Sequence, residues 1–142
     1  MFFKKKFHTI KIRNFEPLTA SSDAVIRKNK LKEEIKNNIK NLEEIKEFCK
    51  NKKLSITIQF YLYDGSKDGN PQPEGRTKKD LDNLLKIVLD VLPEKMDSEG
   101  KNDGLGLIKR DYDHLVYEIK TTKEIVSKES EEGMNIIISQ WK

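Results

Sequence analysis

The segment 76–90, RTKKDLDNLLKIVLD, places two aspartates beside a basic run at the start of a predicted helix. Asp80 suits the N-cap position, where a carboxylate accepts a hydrogen bond from a first-turn N–H. Asp82, in the first turn, would complement the positive end of the helix dipole. The same two carboxylates could instead bind Mg²⁺, which prefers oxygen ligands. The segment by itself leaves both interpretations open.

The rest of this helix adds a cation to the two acids. Asp82, Lys86 and Asp90 recur at steps of four and therefore share one face. An Asp82–Lys86 ion pair on the surface would contribute only about 0.3–0.5 kcal/mol. Alternatively, Lys86 would stabilise charge on a phosphate next to a metal ligand. In that interpretation the flanking phosphates would be held by the basic run Arg76, Lys78 and Lys79.

Length and composition limit the possible classes of protein. The 142 residues predict one domain, 1–142, and 35% hydrophobic with 37% charged residues predicts a modest core under a charged surface. Region 27–53 carries ten Lys or Arg and five Glu, which fits either a phosphate-facing surface or a solvated helix. The single Cys49 excludes an internal disulfide. No apolar run suffices for a signal peptide or membrane span, so we expect a cytoplasmic protein without membrane contact.

Hydrophobic periodicity predicts the order β-α-β-α-β-β. The resulting fold class is α+β (or α/β), with one mixed β-sheet flanked by two main helices. The apolar stripe of the long first helix is expected to face the core or a partner helix. The predicted strands are 7–15, 54–63, 114–122 and 133–141, and the predicted helices are 23–50 and 80–92.

The stretch KKDLDNLLKIVLDVL resembles the signature of RusA-type Holliday junction resolvases, in which a basic run precedes D-[LIV]-D-N-L-x-K-x-x-x-D-x-L. The resemblance extends over 54–142, where the motif follows a strand and a loop as it does in that family. It implies a homodimeric, Mg²⁺-dependent endodeoxyribonuclease, with Mn²⁺ able to replace Mg²⁺. Such an enzyme would resolve four-way DNA junctions by paired nicks, using metal-activated water, in DNA recombination and repair.

The resemblance also assigns roles to individual residues. It implies that Asp80 and Asp82 bind metal and that Lys86 assists at the scissile phosphate. The third acid of the family precedes a later strand, which matches RDYDHLVYEIK here. Strand register favours Asp113 as this metal ligand, and a one-residue gap would select Asp111. The residues expected to contact DNA are Arg76, Lys78, Lys79, Lys120 and Lys123.

A second function of a different class fits the same residues. A non-catalytic DNA-binding or assembly protein could keep the RusA-like fold while its acids only cap helices. Binding of branched DNA without metal-dependent nicking would distinguish that protein from an enzyme.

Overall fold

The computed structural model describes residues 6–19, 24–65, 70, 79–95, 99–100, 104–108 and 112–142. Within these ranges the predicted order of strands and main helices is confirmed. A one-turn 3-10 helix, Glu129–Glu131, precedes the last strand. The elements are β1 Phe7–Arg13, α1 Ala24–Asn37, α2 Leu42–Cys49, β2 Leu54–Tyr63, α3 Leu81–Val91, α4 Tyr112–Leu115, β3 Val116–Val126 and β4 Gly133–Gln140.

The strands form one mixed sheet in the order β1-β4-β2-β3. Strand β4 is antiparallel to both β1 and β2, whereas β2 and β3 are parallel. The predicted α+β class with a mixed sheet is therefore confirmed. A parallel pair needs a crossover connection, and here the crossover contains α3. This connection places the start of α3 after the carboxyl end of β2.

One face of the sheet carries the hydrophobic core. Alternate residues of β2, from Leu54 to Leu62, are 0% exposed, as expected for a central strand. They belong to the same buried cluster as the apolar residues of α1, α2 and α3. Each such side chain contributes roughly 1.5–3 kcal/mol through burial. The opposite face is more polar, and there Arg13 stacks on Tyr61 at 4.7 Å from the ring centroid.

The predicted long helix at 23–50 is wrong in one respect, because it is interrupted at residues 38–41. Asn38 donates a side-chain hydrogen bond to the Glu34 carbonyl at 2.8 Å, and Asn41 caps α2 by accepting from the Glu44 N–H at 3.1 Å. Such side chains compete with helical backbone hydrogen bonds. The predicted apolar stripe still faces the core on both helices, through the buried residues Leu31, Ile35, Ile45 and Cys49.

The strand boundaries also differ slightly from the predicted ones. Strand β1 ends at Arg13, because Asn14 adopts a positive φ of 57°. Strand β3 begins at Val116 instead of residue 114, after the short helix α4, and extends to Val126. At Gly133 a Cβ atom would lie 1.9 Å from the Ile12 carbonyl oxygen, so only glycine permits this approach of β4 to β1.

None of the helices in the described ranges is long and apolar enough to cross a bilayer.

Candidate active site

The candidate site is built on the first turn of α3, which the core holds in place. Four residues of this helix are buried: Leu84, Ile87, Val88 and Val91. The first helical hydrogen bond runs from the Leu84 N–H to the Asp80 carbonyl at 3.0 Å. The helix ends just before Pro93, which cannot continue a helix. The buried side of α3 thus leaves its N-terminal polar residues facing solvent.

Asp80 occupies the N-cap position, but its side chain makes no capping hydrogen bond. The expected capping interaction is therefore absent, although the backbone of Asp80 is extended as an N-cap requires, with φ −68° and ψ 135°. Both Asp80 and Asp82 are exposed. Their carboxylate oxygens are ligands of the kind that Mg²⁺ and other hard cations take. The donor set of this helix start therefore fits a divalent cation.

Lys86 lies one turn after Asp82 and is also exposed. The ion pairs that the described residues form do not include an Asp82–Lys86 pair. The surface ion pair considered for these two residues is therefore absent, and the Lys86 ammonium lies in solvent on the same face as Asp82. Its role at a bound phosphate stays a prediction.

Asp90 lies on the same face of α3, two turns after Asp82, and forms ion pairs with two lysines. Its carboxylate lies 2.7 Å from the Lys95 ammonium and 3.3 Å from that of Lys28 on α1. Partial burial would raise the pKa of Asp90, but the hydrogen bond from Lys95 and the charge of Lys28 outweigh it and lower the pKa. Asp90 therefore joins α1 to α3.

Lys79 anchors the segment that leads into α3. Its ammonium lies 2.6 Å from the Glu16 carboxylate and 2.6 Å from the Pro17 carbonyl. Its own carbonyl accepts a hydrogen bond from Lys123 on β3 at 2.9 Å. Glu16 thus neutralises a lysine that was expected to bind DNA. The sequence held no signal for this pair, because the two residues are 63 positions apart.

Two of the other expected DNA contacts can be placed. The Lys120 side chain is 66% exposed and lies 3.7 Å from the Glu118 carboxylate, which is a weak surface pair. Lys123 extends from β3 toward the start of α3 through its bond to Lys79. Arg76 and Lys78 lie outside the described residues.

A buried acid that the sequence pattern did not indicate lies at the carboxyl end of β2. Glu132 is 3% exposed, and its carboxylate accepts a hydrogen bond from the Tyr63 N–H at 3.1 Å. Its carbonyl accepts another from the Phe15 N–H at 3.2 Å. These hydrogen bonds of Glu132 stabilise the carboxyl end of β2, from which the chain continues toward α3.

The third predicted acid belongs to a different part of the sheet. Asp111 lies outside the described residues, and for Asp113 the backbone on α4 is described but the side chain is not. Three residues after Asp113, Val116 pairs with Leu54 at the beginning of β2. Lys123, which contacts the start of α3, lies seven residues further along β3, or about 23 Å. The register therefore separates α4 from the start of α3 within one chain.

The described residues accordingly contain no group of three or more His, Cys, Asp or Glu side chains that could hold a metal ion. Asp80 and Asp82 provide two carboxylates. A third protein ligand, if the site uses one, has to come from the segments outside the described ranges, from α4, or from another copy of the chain.

The fold and site define a class of protein: a mixed-sheet α+β domain that presents a D-x-D pair and a lysine at the start of a helix following its central strand. The family model described as Endodeoxyribonuclease RusA matches residues 18–105, which is more than half of the chain. The chain therefore belongs to the RusA endodeoxyribonuclease family. Searches of curated proteins and of solved structures found no match.

Family membership confirms the general activity expected from the sequence. The chain is an endodeoxyribonuclease of the Holliday junction resolvase type, acting on branched DNA, and such nucleases depend on a divalent metal. The matched region contains Asp80, Asp82 and Lys86 but ends before Asp111 and Asp113. The match therefore covers the positions of the first half of the predicted site and not those of the second, and the roles of all these residues stay predictions.

Proposed function

We propose that this protein nicks four-way DNA junctions in a Mg²⁺-dependent reaction in which Asp80 and Asp82 bind the metal. One observation carries the proposal: the two carboxylates at the start of α3 are exposed, and Asp80 occupies the N-cap position without capping the helix. An aspartate present only for helix stability would be expected to make the capping hydrogen bond.

The chemistry of the site is consistent with this metal. Mg²⁺ takes oxygen ligands in an octahedral shell and usually keeps several waters, so one or two carboxylates can hold it. When bound, it would lower the pKa of water and neutralise charge on the scissile phosphate. Lys86, exposed one turn after Asp82, would bind the same phosphate and stabilise the charge that develops on it. Mn²⁺ would replace Mg²⁺ through the same oxygen ligands.

The remaining contacts are proposed on the family pattern. Asp113 stays the predicted third ligand, with Asp111 as its alternative. Lys120 and Lys123 would contact the DNA backbone together with Arg76 and Lys78. Lys79 would do so only after leaving Glu16, because its charge is already paired there at 2.6 Å.

The test compares the wild-type protein with Asp82→Asn on an end-labelled four-way junction, with Mg²⁺ and with EDTA. We expect Mg²⁺-dependent nicking by the wild type and a loss on the order of 100-fold in the variant, because a metal ligand supports several kcal/mol of charge stabilisation. Junction binding without metal should be retained. Glu43→Gln, at an exposed position on α2, serves as the control and should leave nicking unchanged.

Two outcomes would contradict the proposal. Junction binding by the wild type without nicking in the presence of Mg²⁺ would favour the non-catalytic DNA-binding or assembly protein. Nicking that persists in Asp82→Asn would leave the endonuclease activity intact and refute this metal site.

A further inference from the structure

Two exposed aromatic side chains meet at the end of the sheet where β2 and β3 begin. Tyr117 on β3 is 49% exposed, and Trp141, just after β4, is 37% exposed. Their ring centroids lie 5.4 Å apart, with an angle of 34° between the ring planes. Single apolar side chains on a surface are ordinary, but large ones that lie together mark a binding surface. This ring pair is therefore a candidate for one.

The backbone positions both rings. The pairing of β3 with β2 shifts register between Leu54 and Ser55, which leaves Tyr117 as an extra residue without a partner on β2. Such a bulge redirects a side chain out of the regular alternation of its strand. At the end of β4, the Trp141 N–H donates a hydrogen bond to the Lys53 carbonyl at 2.8 Å. Two backbone features thus hold the ring pair at this end of the sheet.

A lysine ammonium lies over both rings. The Lys53 ammonium is 5.2 Å from the Tyr117 centroid and 5.8 Å from that of Trp141, within the range of a cation–π contact. Lys53 is exposed, and none of the carboxylates in the described ranges forms an ion pair with it. Tyr117, Trp141 and Lys53 together form the aromatic patch, which combines π faces with a positive charge.

The charges next to the aromatic patch favour an anion. Glu118 is the adjacent acid, and its carboxylate accepts a hydrogen bond from the Ser55 hydroxyl at 2.6 Å. The Lys120 ammonium lies 3.7 Å from the same carboxylate and partly offsets its charge. Lys52, half-buried beside Lys53, adds another cation. Among the described side chains around the patch, lysines thus outnumber acids.

Single-stranded DNA fits this combination of groups. Its bases stack on aromatic side chains whatever their sequence, and its phosphates bind lysines. In a duplex the bases stack on one another, so their faces are closed to the patch. An apolar protein partner would cover the rings but would also desolvate the Lys53 ammonium without supplying an anion, which is costly. The charge of the patch therefore favours a nucleic acid over an apolar protein surface.

We propose that the aromatic patch binds an unpaired base of single-stranded DNA by stacking, with Lys53 on the adjacent phosphate. The patch is distinct from the start of α3, because Lys123, which contacts that start, lies six residues beyond Tyr117 along β3, or about 20 Å. The choice of DNA rests on the proposed function. Branched DNA that carries a single-stranded arm should therefore bind more tightly than a fully paired junction.

Tryptophan fluorescence tests the site directly, because Trp141 is the single tryptophan of the chain. The emission is measured in EDTA while the protein is titrated with an oligothymidylate of about ten nucleotides, a length typical of single-strand sites. We expect saturable quenching, since a stacked base changes the surroundings of the indole ring. A paired duplex of the same length should need a roughly 10-fold or higher concentration for the same quenching.

Substitution of Tyr117 tests stacking, with binding of a labelled oligothymidylate followed by fluorescence anisotropy in EDTA. Tyr117→Ala should weaken binding roughly 5- to 150-fold, as for the loss of one stacked base. Tyr117→Phe keeps the ring and should bind like the wild type. Phe7→Ala is the control, because Phe7 is 57% exposed but is separated from β3 by two strands. Unchanged binding by Tyr117→Ala, or an equal loss in Phe7→Ala, would overturn the proposal.

The salt dependence of the same binding tests the phosphate contact of Lys53. Lys53→Ala should reduce the slope of log affinity against log salt concentration by about 0.7, the value for one phosphate contact on a single strand. Lys128→Ala, exposed just before the 3-10 helix at the opposite end of the sheet, should leave the slope unchanged. An unaltered slope in Lys53→Ala would refute the phosphate contact.

Each result decides the role of the aromatic patch independently of nuclease activity, because EDTA prevents metal-dependent nicking. Absence of quenching, or equal quenching by the duplex, would overturn the proposal. A change in Trp141 emission when the protein is diluted without DNA would show that a second copy covers the patch, which would also overturn it. Junction nicking by a protein that does not bind the single strand would leave the proposed function standing. Quenching in a protein that does not nick would do the reverse.

Discussion

At the scale of single residues, α3 separates two kinds of aspartate that the sequence presents alike. Asp82 and Asp90 share a helix face, yet Asp82 is exposed whereas Asp90 lies between Lys95 and Lys28. Asp80 occupies a capping position and does not cap. The acids nearest the helix start are thus exposed, whereas the acid at its end is paired with two lysines.

Lys86 should be important for the reaction and not for the fold. Lys86→Ala removes an exposed ammonium without known protein partners in the described region, so we expect unchanged thermal stability. Junction nicking with Mg²⁺ should fall roughly 10–1000-fold, as for loss of one group that stabilises transition-state charge. Lys36→Ala, at an exposed position on α1, is the matched control. Equal nicking by both variants would refute the role of Lys86.

Asp90 should behave in the opposite way, with a clear dependence on pH. Its pKa is lowered in the folded state, so its stabilising contribution is present above the unfolded pKa of about 3.9 and is lost as pH falls through the folded value. Asp90→Asn should therefore lower the free energy of unfolding by about 1 kcal/mol at pH 7. Urea denaturation at a series of pH values measures this effect. The difference in the free energy of unfolding between Asp90→Asn and wild type should shrink toward zero at the most acidic pH.

The control for Asp90 is Glu43→Gln, which breaks an exposed pair with Lys46 at 3.5 Å. This change should alter the free energy of unfolding little at acid or at neutral pH, because surface ion pairs contribute little to stability. A loss of stability in Asp90→Asn that is the same at acid and neutral pH would show that the charge is not responsible.

At the scale of elements, the connection between α1 and α2 shows how polar residues can divide an apolar stripe. The stripe remains buried on both sides of the interruption, since Ile35 and Ile45 are 0% and 6% exposed. The Asn41 side chain starts the second helix by capping it. The break therefore divides the stripe between two helices without exposing either half.

Removal of this cap should destabilise α2. Asn41→Ala loses the hydrogen bond to the Glu44 N–H, which is typically worth about 1 kcal/mol. For a chain of this length, the Tm should fall by roughly 2–5 °C. Asn37→Ala, at the exposed last position of α1, is the control in the same calorimetric experiment. A similar Tm for both variants would show that Asn41 does not determine the break.

At the scale of the whole molecule, the register of β2 and β3 raises the question of which chain supplies the third acid. Val116 pairs with Leu54, so α4 and Asp113 lie at the opposite end of the parallel pair from Lys123 and Lys79. In a homodimer, which the family resemblance implies, the second copy would be the other source of this acid.

Mixed dimers should reveal the sharing of acids between subunits. On the proposed function, Asp82→Asn and Asp113→Asn homodimers are both inactive. If Asp113 acts across the dimer, a co-expressed heterodimer keeps one complete site. We then expect it to nick single strands of a four-way junction at about half the wild-type rate, without the paired cuts that resolve the junction. We expect this result because of the β2–β3 register.

The heterodimer is isolated by two different affinity tags, and Asp82→Asn paired with wild type serves as its control. A heterodimer as inactive as its parents would place all ligands within one chain. An active Asp113→Asn homodimer would remove Asp113 from the site altogether.

The sequence was sufficient for those features that local chemistry determines. Alternation of apolar residues predicted β1, β2 and β4, and helical periodicity predicted α3 with its buried stripe. The spacing of Asp80, Asp82 and Lys86 led to the part of the proposed site that lies within the family match. Each of these signals lies within one or two turns or strands, where side-chain type and backbone preference act together.

Only the tertiary structure decided what depends on residues distant in the sequence. It paired Lys79 with Glu16, fastened β2 through Glu132, and engaged Asp90 with Lys28 instead of leaving it beside Asp82. It also placed Asp113 by the parallel pairing of β3 with β2. Strand periodicity reports which face a residue occupies but not which end of the neighbouring strand it meets. That end is determined by the direction and register of the crossover, because only folding brings the two strands side by side.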